Sequence, residues 1–332
     1  MSEMVDQGTG DCEPKATGGG SVRNVTFVGP ADMGITLLIL MCFVDPYMKY
    51  VLYVNECVLI LKSKSFVFHT KMFAISRSFR LSIYLSGFRR SLSQSSPPGP
   101  RILAAIDFDK TIVQEDSYLA VSQLLPIGQS KELQDQIPKC GWLGFIGRVL
   151  QVLHSEHKVD SASVGMRVRR LQAVPGMLRV VRLLARNPAV DLCIVSDANS
   201  FFIGEWLREY GLECLFTGVF TNPACVQASG EILVLPYQEQ ADCELCPSNL
   251  CKGSVLEELI CSGRYRRVVY VGDSCNDLCA MKRLREEDVA CIRRGYELHG
   301  KLAAHGPELV CSVLAWRDGH ELEQLLVPKV VD

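Results

Sequence analysis

The chain has 332 residues, of which 48% are hydrophobic and 22% are charged, so it can bury a real core and global disorder is not expected. Its 35 lysine and arginine residues nearly balance its 37 aspartate and glutamate residues, which argues against a nucleic-acid-binding protein with a strongly basic surface. The 15 cysteines are scattered through a long chain, so we expect reduced thiols rather than a disulfide framework.

The composition changes near residue 100, which separates an N-terminal extension (1–100) from a following domain (101–327). The glycine-rich residues 1–33 are expected to be disordered. Two apolar runs follow, 34–44 and 51–61, and neither reaches the roughly 18 residues of a membrane-spanning helix. A membrane-spanning helix is therefore not favoured, although it stays open as an alternative, and a poorly structured extension without function is the favoured interpretation.

A second interpretation of the extension concerns targeting. Residues 62–101 contain many basic and serine residues but no aspartate or glutamate, as organelle transit peptides do. Such peptides lie at the N-terminus, so this interpretation requires that translation begin at Met72. The cytoplasm is the expected compartment, with an organelle as the alternative for a protein that starts at Met72.

The first strand of the domain is predicted at Ile102 to Ala105, an apolar run without polar alternation. Such a run is typical of a strand that is buried on both faces of a parallel sheet. Asp107 and Asp109 follow it, at the strand end where open α/β sheets place their ligands. Taken alone, two acids at this spacing could simply cap the next helix.

The segment after this strand, about 114–175, carries apolar residues at three- and four-residue spacing and is predicted to be helical. It is too long for a simple crossover between neighbouring strands. We expect an all-helical cap inserted after the first strand; the alternative is a larger helical layer on the sheet.

Two further strands end in polar residues. The run 190–195 ends at Ser196, which could bind an anion together with the next helix N-terminus or could merely cap that helix. The run 267–271 delivers Gly272 and Asp273 to the same sheet edge as Asp107. The position of Asp273 therefore points to a shared site at that edge.

The region between these strands contains a predicted β-hairpin at 219–237 and then a cysteine-rich loop. Cys243, Cys246 and Cys251 suggest a zinc site, but no fourth cysteine or histidine has an obvious spacing. Free thiols are the favoured interpretation, and metal binding stays open. Lys252 follows directly and begins a helix.

In chain order, these motifs resemble those of the haloacid dehalogenase-like (HAD) hydrolase superfamily over roughly residues 101–327. The finer resemblance is to the phosphoethanolamine/phosphocholine and pyridoxal-phosphate phosphatase group, and among them to plant members described as thiamine-phosphate phosphatase-like or as pyrophosphatases. It rests on four segments: Asp-Phe-Asp-Lys-Thr-Ile-Val at 107–113, Ser-Asp-Ala-Asn at 196–199, Cys-Pro-Ser-Asn-Leu-Cys-Lys at 246–252 and Arg-Arg-Gly-Tyr at 293–296.

The resemblance implies an α/β fold, a three-layer Rossmannoid parallel sheet with the helical cap after its first strand. It also implies an enzyme that hydrolyses a small phosphomonoester with Mg²⁺, through an aspartyl-phosphate intermediate. By this resemblance, Asp107 is the nucleophile and a metal ligand, and Asp109 is the general acid/base and a metal ligand through its backbone carbonyl. Ser196 and Lys252 bind the phosphate. Asp273 binds the metal, Asp277 supports it, and Thr111 orients the loop.

The chain departs from this group at Tyr118, where the animal amine-phosphate phosphatases carry an acid. An aromatic residue there weakens the expectation of a phosphocholine substrate, whereas Asp197 matches a second acid of the group. We expect Tyr118 and Asp197 to influence specificity and a small phosphorylated metabolite to be the partner, with no nucleic acid. Two alternatives remain: an inorganic pyrophosphatase of the same fold, and a non-catalytic HAD-like scaffold.

Overall fold

The computed structural model describes residues 101–261, 265–305 and 309–330, together with the backbone of five short N-terminal strands. The chain divides into two units, Met1–Ile75 and Ser76–Asp332. The other residues, among them Met72 and most of the stretch compared with a transit peptide, lie outside the described part.

The first unit contains one antiparallel sheet whose four strands pair in chain order. Its strands are β1 (Val22–Phe27), β2 (Leu37–Cys42), β3 (Lys49–Val54) and β4 (Cys57–Lys62). The two apolar runs thus contribute to strands. Residues 1–33 are expected to be disordered, but residues 22–27 form the strand β1. The sequence of this strand is rich in valine, threonine and phenylalanine, which favour strands. No helix within the described residues is long and apolar enough to cross a membrane.

The second unit is built on a six-stranded sheet with the order β13-β12-β11-β6-β7-β8. Every neighbouring pair in it is parallel, as predicted. Its strands are β6 (Arg101–Ile106), β7 (Val190–Asn199), β8 (Gly218–Asn222), β11 (Tyr265–Gly272), β12 (Val289–Arg293) and β13 (Ser312–Trp316). A small antiparallel sheet contains β5 (Ser82–Ile83), β9 (Ala224–Val226) and β10 (Ile232–Val234). Its β9–β10 pair is a hairpin within the predicted range 219–237, but residues 219–222 belong to β8 of the parallel sheet instead.

The strand β6 shows why the unit has three layers. Ile102, Ala104 and Ile106 belong to one apolar cluster, and Leu103 and Ala105 belong to another. Successive side chains of a strand point to opposite faces, so both faces of β6 are buried beneath helices. This confirms the prediction made from its unbroken apolar run.

Four helices lie in the segment 114–175 that was predicted to be helical: α1 (Ser117–Ser122), α2 (Ile127–Gln134), α3 (Ile137–Ser155) and α4 (Ser161–Arg169). Residue Gly141 kinks α3, with a φ of 69° that a residue without a Cβ adopts readily. The contact of α4 with a helix that follows β7 ties this group to the sheet layer. Its action as a cap stays a prediction.

The remaining helices cover the two faces of the sheet. They are α5 (Met177–Arg186), α6 (Ser200–Glu209), α7 (Lys252–Ile260), α8 (Cys275–Met281), α9 (Glu297–His305) and α10 (Gly319–Val330). Both α6 and α8 begin just beyond the carboxyl end of a parallel strand. The helix N-termini therefore gather at the edge of the sheet where the predicted site lies.

Candidate active site

Three neighbouring strands, β11, β6 and β7, bring the predicted residues to one edge of the sheet. Asp107 and Asp273 directly follow their strands, and each is 3% exposed. The backbone N–H of Asp107 donates to the carbonyl of Val271 at 2.9 Å, which joins the two strand ends. The last residues of β7 include Ser196, which is completely buried. The structure thus brings together acids that lie far apart in the sequence.

Lys252, the first residue of α7, points into this group of acids and is completely buried. Its Nζ lies 2.9 Å from Oδ1 of Asp107 and 2.8 Å from Oδ1 of Asp277. Burial lowers the pKa of the ammonium group, but the surrounding carboxylates, those of Asp107, Asp277 and Asp197, outweigh burial and hold that pKa well above its usual value. Lys252 is therefore a charged group of the site rather than a solvated surface lysine.

Asp277 uses both carboxylate oxygens for contacts within the protein. Its Oδ1 accepts hydrogen bonds from Lys252 and from the hydroxyl of Tyr270 at 2.9 Å. Its Oδ2 accepts from the backbone N–H groups of Asp273 at 3.0 Å and Ser274 at 2.9 Å. Asp277 thereby fixes the position of Lys252 and the shape of the loop that carries Asp273.

Gly272 allows this close packing. A Cβ at residue 272 would lie 2.3 Å from Cγ of Asp277, far inside contact distance. Any larger residue at this strand end would displace the Asp277 carboxylate. The space beside Gly272 is therefore filled by the Asp277 side chain of the site itself.

Asp109 lies beneath the first turn of α1. Its Oδ2 accepts a hydrogen bond from the Ser117 hydroxyl at 2.9 Å, and its Oδ1 accepts from the Ser117 backbone N–H at 3.1 Å. Burial, together with the charges of Asp116 and Asp107, raises the pKa of Asp109 well above its ordinary value. The carboxyl group therefore binds its proton more tightly than an exposed aspartate does, a property that general acid catalysis uses.

Two other acids of the site also bind protons more tightly than usual. Burial, helped by Asp277 and Asp197 and opposed by Lys252, raises the pKa of Asp107 to about 7. Burial and the charges of Asp277 and Asp107 raise the pKa of Asp273 to about 8. Carboxylates crowded in a buried place repel one another, and a cation between them would remove that cost.

The donor atoms of this group fit a divalent cation. Carboxylate oxygens of Asp107, Asp273 and Asp277 all lie within 4.8 Å of one another. A cluster made only of oxygen donors suits a hard ion such as Mg²⁺. The hydroxyl of Thr111 donates to Oδ1 of Asp273 at 3.4 Å, which links the loop after β6 to this cluster and accords with the orienting role predicted for Thr111.

The two predicted specificity residues meet beside this cluster. The Tyr118 hydroxyl donates to the backbone carbonyl of Asp197 at 3.0 Å, and its ring packs edge-on against Phe202. The Asp197 carboxylate accepts from the Asn276 side chain at 3.2 Å. Tyr118 is only 3% exposed, so its hydroxyl positions the end of β7 rather than pointing into solvent.

The structure corrects one detail of this region. β7 continues to Asn199, where the sequence places its end near residue 195. Asn199 caps α6, because its side-chain oxygen accepts from the backbone N–H of Phe202 at 3.0 Å. Ser196 is therefore not the helix cap. Its hydroxyl oxygen accepts from the N–H of Ala198 at 3.3 Å.

Sequence reasoning missed several residues that support the site. Ser117 holds Asp109, Tyr270 holds Asp277, and Arg293 donates to the backbone carbonyl of Lys110. The Arg293 guanidinium also lies 4.2 Å from the ring centroid of Tyr296. Arg293 and Tyr296 belong to a segment quoted for the family resemblance, but a motif alone does not show which backbone group an arginine contacts.

Comparison with known proteins shows the family to which the chain belongs. Residues 102–330 match the family model described as "Putative Phosphatase". A pyridoxal phosphate phosphatase from Mus musculus is 37% identical over 232 residues, covering 67% of this chain and 95% of that protein.

Two proteins of Arabidopsis thaliana are also similar. A thiamine phosphate phosphatase-like protein is 30% identical, over 69% of this chain and 96% of that protein. Inorganic pyrophosphatase 2 is 29% identical, over 68% of this chain and 82% of that protein. Since the family model spans well over half of the chain, this protein belongs to the "Putative Phosphatase" family and is a phosphatase.

Proposed function

We propose that the protein is a Mg²⁺-dependent phosphatase that hydrolyses a small phosphomonoester through an aspartyl-phosphate on Asp107. The observation that carries this proposal is the buried ammonium group of Lys252. It lies 2.9 Å from the Asp107 carboxylate, in a cluster that also contains Asp273. A fixed positive charge beside a nucleophile is what the transfer of a phosphoryl group requires.

The phosphoryl group of the substrate would lie between Asp107, Lys252 and Ser196. The Lys252 ammonium would balance the charge that develops on the phosphoryl oxygens, and the Ser196 hydroxyl would donate to one of them. Asp277 would keep Lys252 in place through its 2.8 Å contact. The hydroxyl groups of Tyr270 and Ser274 would in turn hold the Asp277 carboxylate in place through hydrogen bonds.

In the first step, a carboxylate oxygen of Asp107 attacks phosphorus and the bond to the leaving oxygen breaks. Asp109 donates its proton to that leaving oxygen, consistent with its raised pKa. In the second step, the ionised Asp109 takes a proton from a water molecule whose oxygen attacks phosphorus. The bond between phosphorus and the Asp107 carboxylate oxygen then breaks, and inorganic phosphate leaves. The hydrogen bonds from Ser117 keep the Asp109 carboxyl in one orientation during both steps.

The carboxylates of Asp107 and Asp273 and the backbone carbonyl of Asp109 would hold Mg²⁺, with Asp277 in support. When bound, Mg²⁺ offsets the repulsion between an anionic nucleophile and a phosphate dianion. Asp277 fits the supporting role, because both of its oxygens already accept hydrogen bonds from the protein.

We infer a vitamin phosphate or a phosphoamine as the substrate class. Support comes from the relatives named for pyridoxal phosphate and thiamine phosphate. The buried Tyr118, at a position where an acid would suit a cationic head group, favours the vitamin phosphates. The helices of residues 114–175 would act as the cap that closes over a small substrate.

Hydrolysis of inorganic pyrophosphate is the second candidate, because one relative carries that name. The non-catalytic scaffold is set aside, since the chain belongs to a phosphatase family. A panel assay of the full chain with Mg²⁺ separates the remaining possibilities. It measures phosphate release from pyridoxal phosphate, thiamine monophosphate, phosphoethanolamine, phosphocholine and pyrophosphate.

Preferred release from a vitamin phosphate or phosphoethanolamine supports the proposal. Preferred release from pyrophosphate would replace it with the second candidate. The Asp107→Asn variant is the matched control, because it keeps the size of the side chain and removes the nucleophilic oxygen. Release that persists in this variant would show that the assigned site does not carry the activity.

A further inference from the structure

Four cysteine sulfurs meet beside the active site, close in the chain to Lys252 and Asp277. Cys243, Cys246 and Cys251 come from the loop between β10 and α7, and Cys279 comes from α8. Their sulfur atoms all lie within 4.8 Å of one another. The sulfur of Cys279 is 3.4 Å from that of Cys243 and 3.7 Å from that of Cys251.

Cys279 supplies the ligand that the sequence did not reveal. It lies 28 residues after Cys251, in α8, the helix that also contains Asp277. Spacing alone therefore could not associate it with the Cys-x-x-Cys loop. The packing of α8 against α7 brings it there.

We propose that Cys243, Cys246, Cys251 and Cys279 bind one structural Zn²⁺ ion as four thiolates. Zinc–sulfur bonds of about 2.3 Å in a tetrahedron place the sulfurs roughly 3.8 Å apart, close to the observed separations of 3.4 and 3.7 Å. Four soft sulfur ligands select zinc over magnesium. With all positions taken by protein, the ion has no open site for substrate, so its role is structural.

A disulfide explains this arrangement less well. The four cysteines of the cluster form no disulfide. A single disulfide would join only two of the four sulfurs and leave the other two as thiols. Cys279 has close neighbours in both Cys243 and Cys251, which is the geometry of a shared ligand rather than of a pair.

The surrounding residues hold the loop in the shape that a metal site needs. The side-chain N–H groups of Gln240 donate to the carbonyls of Cys246 at 3.2 Å and Pro247 at 2.8 Å, and its oxygen accepts from the N–H of Cys243 at 2.8 Å. Gly253 allows Cys279 to approach, because a Cβ there would lie 2.5 Å from its sulfur. Contacts of this kind fix the orientation of metal ligands.

The position of the cluster suggests what the ion does. Cys251 directly precedes Lys252, and Cys279 follows Asp277 by two residues. The ion would therefore join the first turn of α7 to α8, the two helices that supply the buried Lys252–Asp277 pair. This inference does not depend on the substrate or on the catalytic mechanism proposed above.

The test is the metal content of the full chain, purified without chelators and without a histidine tag. Elemental analysis should find about one zinc per chain. Replacement with Co²⁺ should produce the intense thiolate-to-cobalt absorption and the visible bands of a tetrahedral site. The Asp273→Asn variant should keep this absorption, which separates the cysteine site from the carboxylate cluster.

The variants Cys279→Ser and Cys243→Ser should each lose the zinc and the thiolate-to-cobalt absorption. Cys275→Ser, in the same helix as Cys279 but outside the cluster, is the matched control and should keep both. If Cys279→Ser does not fold, Cys243→Ser decides, because Cys243 is only half-buried.

Three results would overturn the proposal. The first is a folded chain with less than about a tenth of an equivalent of zinc that also shows no thiolate-to-cobalt absorption. The second is a disulfide between cluster cysteines, found by mass spectrometry of the protein as purified. The third is an unchanged zinc content in a folded Cys243→Ser or Cys279→Ser variant.

Discussion

The ammonium group of Lys252 donates a hydrogen bond of 2.8 Å to the carboxylate of Asp277, and both side chains are wholly buried. Lys252 begins α7 and Asp277 lies in α8, so this one contact joins two helices at the carboxyl edge of the sheet. Burying two charges is costly unless each is paired and hydrogen-bonded. The additional contacts from Tyr270 and Asp107 meet that condition.

Lys252→Met should destabilise the protein and abolish turnover. The change leaves Asp107 and Asp277 without their buried partner, and breaking such a pair costs about 3–5 kcal/mol. Urea unfolding at neutral pH measures the free energy of unfolding. Lys131→Met, which replaces an exposed lysine of α2, is the control and should change that free energy by less than about 0.5 kcal/mol. Equal stability of the two variants would contradict the account of the pair.

Asp109→Asn should slow turnover in a way that depends on the leaving group. The variant cannot protonate a poor leaving oxygen, so alkyl phosphates should react about 10²–10⁴-fold more slowly. The first step with p-nitrophenyl phosphate should be much less affected, because nitrophenolate leaves without a proton. Steady-state and single-turnover kinetics with both substrates measure the difference. An equal loss in the first step for both would argue against the acid role of Asp109.

Magnesium should stabilise the protein more at about pH 8 than at about pH 6. The folded-state pKa values of Asp107 and Asp273, about 7 and about 8, lie above those of the unfolded chain, near 4. Between about pH 4 and pH 8 the folded state therefore binds more protons than the unfolded chain does. The metal-free protein loses stability as the pH rises through this window. Mg²⁺ binds the ionised carboxylates, so protons compete with it at low pH.

Thermal unfolding with and without Mg²⁺ at the two pH values measures this effect. The increase in Tm should be larger at the higher pH and should shrink in Asp273→Asn, which lacks one of the titrating groups. A larger Mg²⁺ effect at the lower pH would show that the ion does not bind at these carboxylates.

Gly272→Ala should lower stability by about 1–3 kcal/mol, as overpacking of a tight contact does. The new methyl group would overlap the Asp277 carboxylate, whose Cγ lies 2.3 Å from the Cβ position. Gly147→Ala is the matched control, since nothing lies within 4 Å of its Cβ position in the helix α3. There alanine should raise stability by up to about 1 kcal/mol. Chemical unfolding of both variants tests the opposite signs.

The site was predictable from the sequence because parallel strands bring their carboxyl ends to one edge. Asp107 and Asp273 follow apolar runs, and this alone was sufficient to place them together. The helix α5 (Met177–Arg186) likewise has apolar residues that recur at helical spacing, a pattern that local sequence can show.

Other features depend on contacts between distant residues, which no local pattern reports. The edge strand β13 (Ser312–Trp316) was missed because its apolar run is only four residues long and its first residues are exposed. Cys279 was missed because its partners are in another loop. Ser117 was missed as the partner of Asp109, because the turn of the chain after β6 brings the two together.

The most direct test of the mechanism is detection of phosphate on Asp107. Asp109→Asn, treated with p-nitrophenyl phosphate and Mg²⁺ and quenched in acid, should accumulate phospho-enzyme because hydrolysis of the intermediate lacks its base. Peptide mass spectrometry should place the phosphoryl group on Asp107, and the double variant with Asp107→Asn should carry none. Release of nitrophenol without any phosphorylated peptide, or with phosphate on another residue, would contradict the central claim.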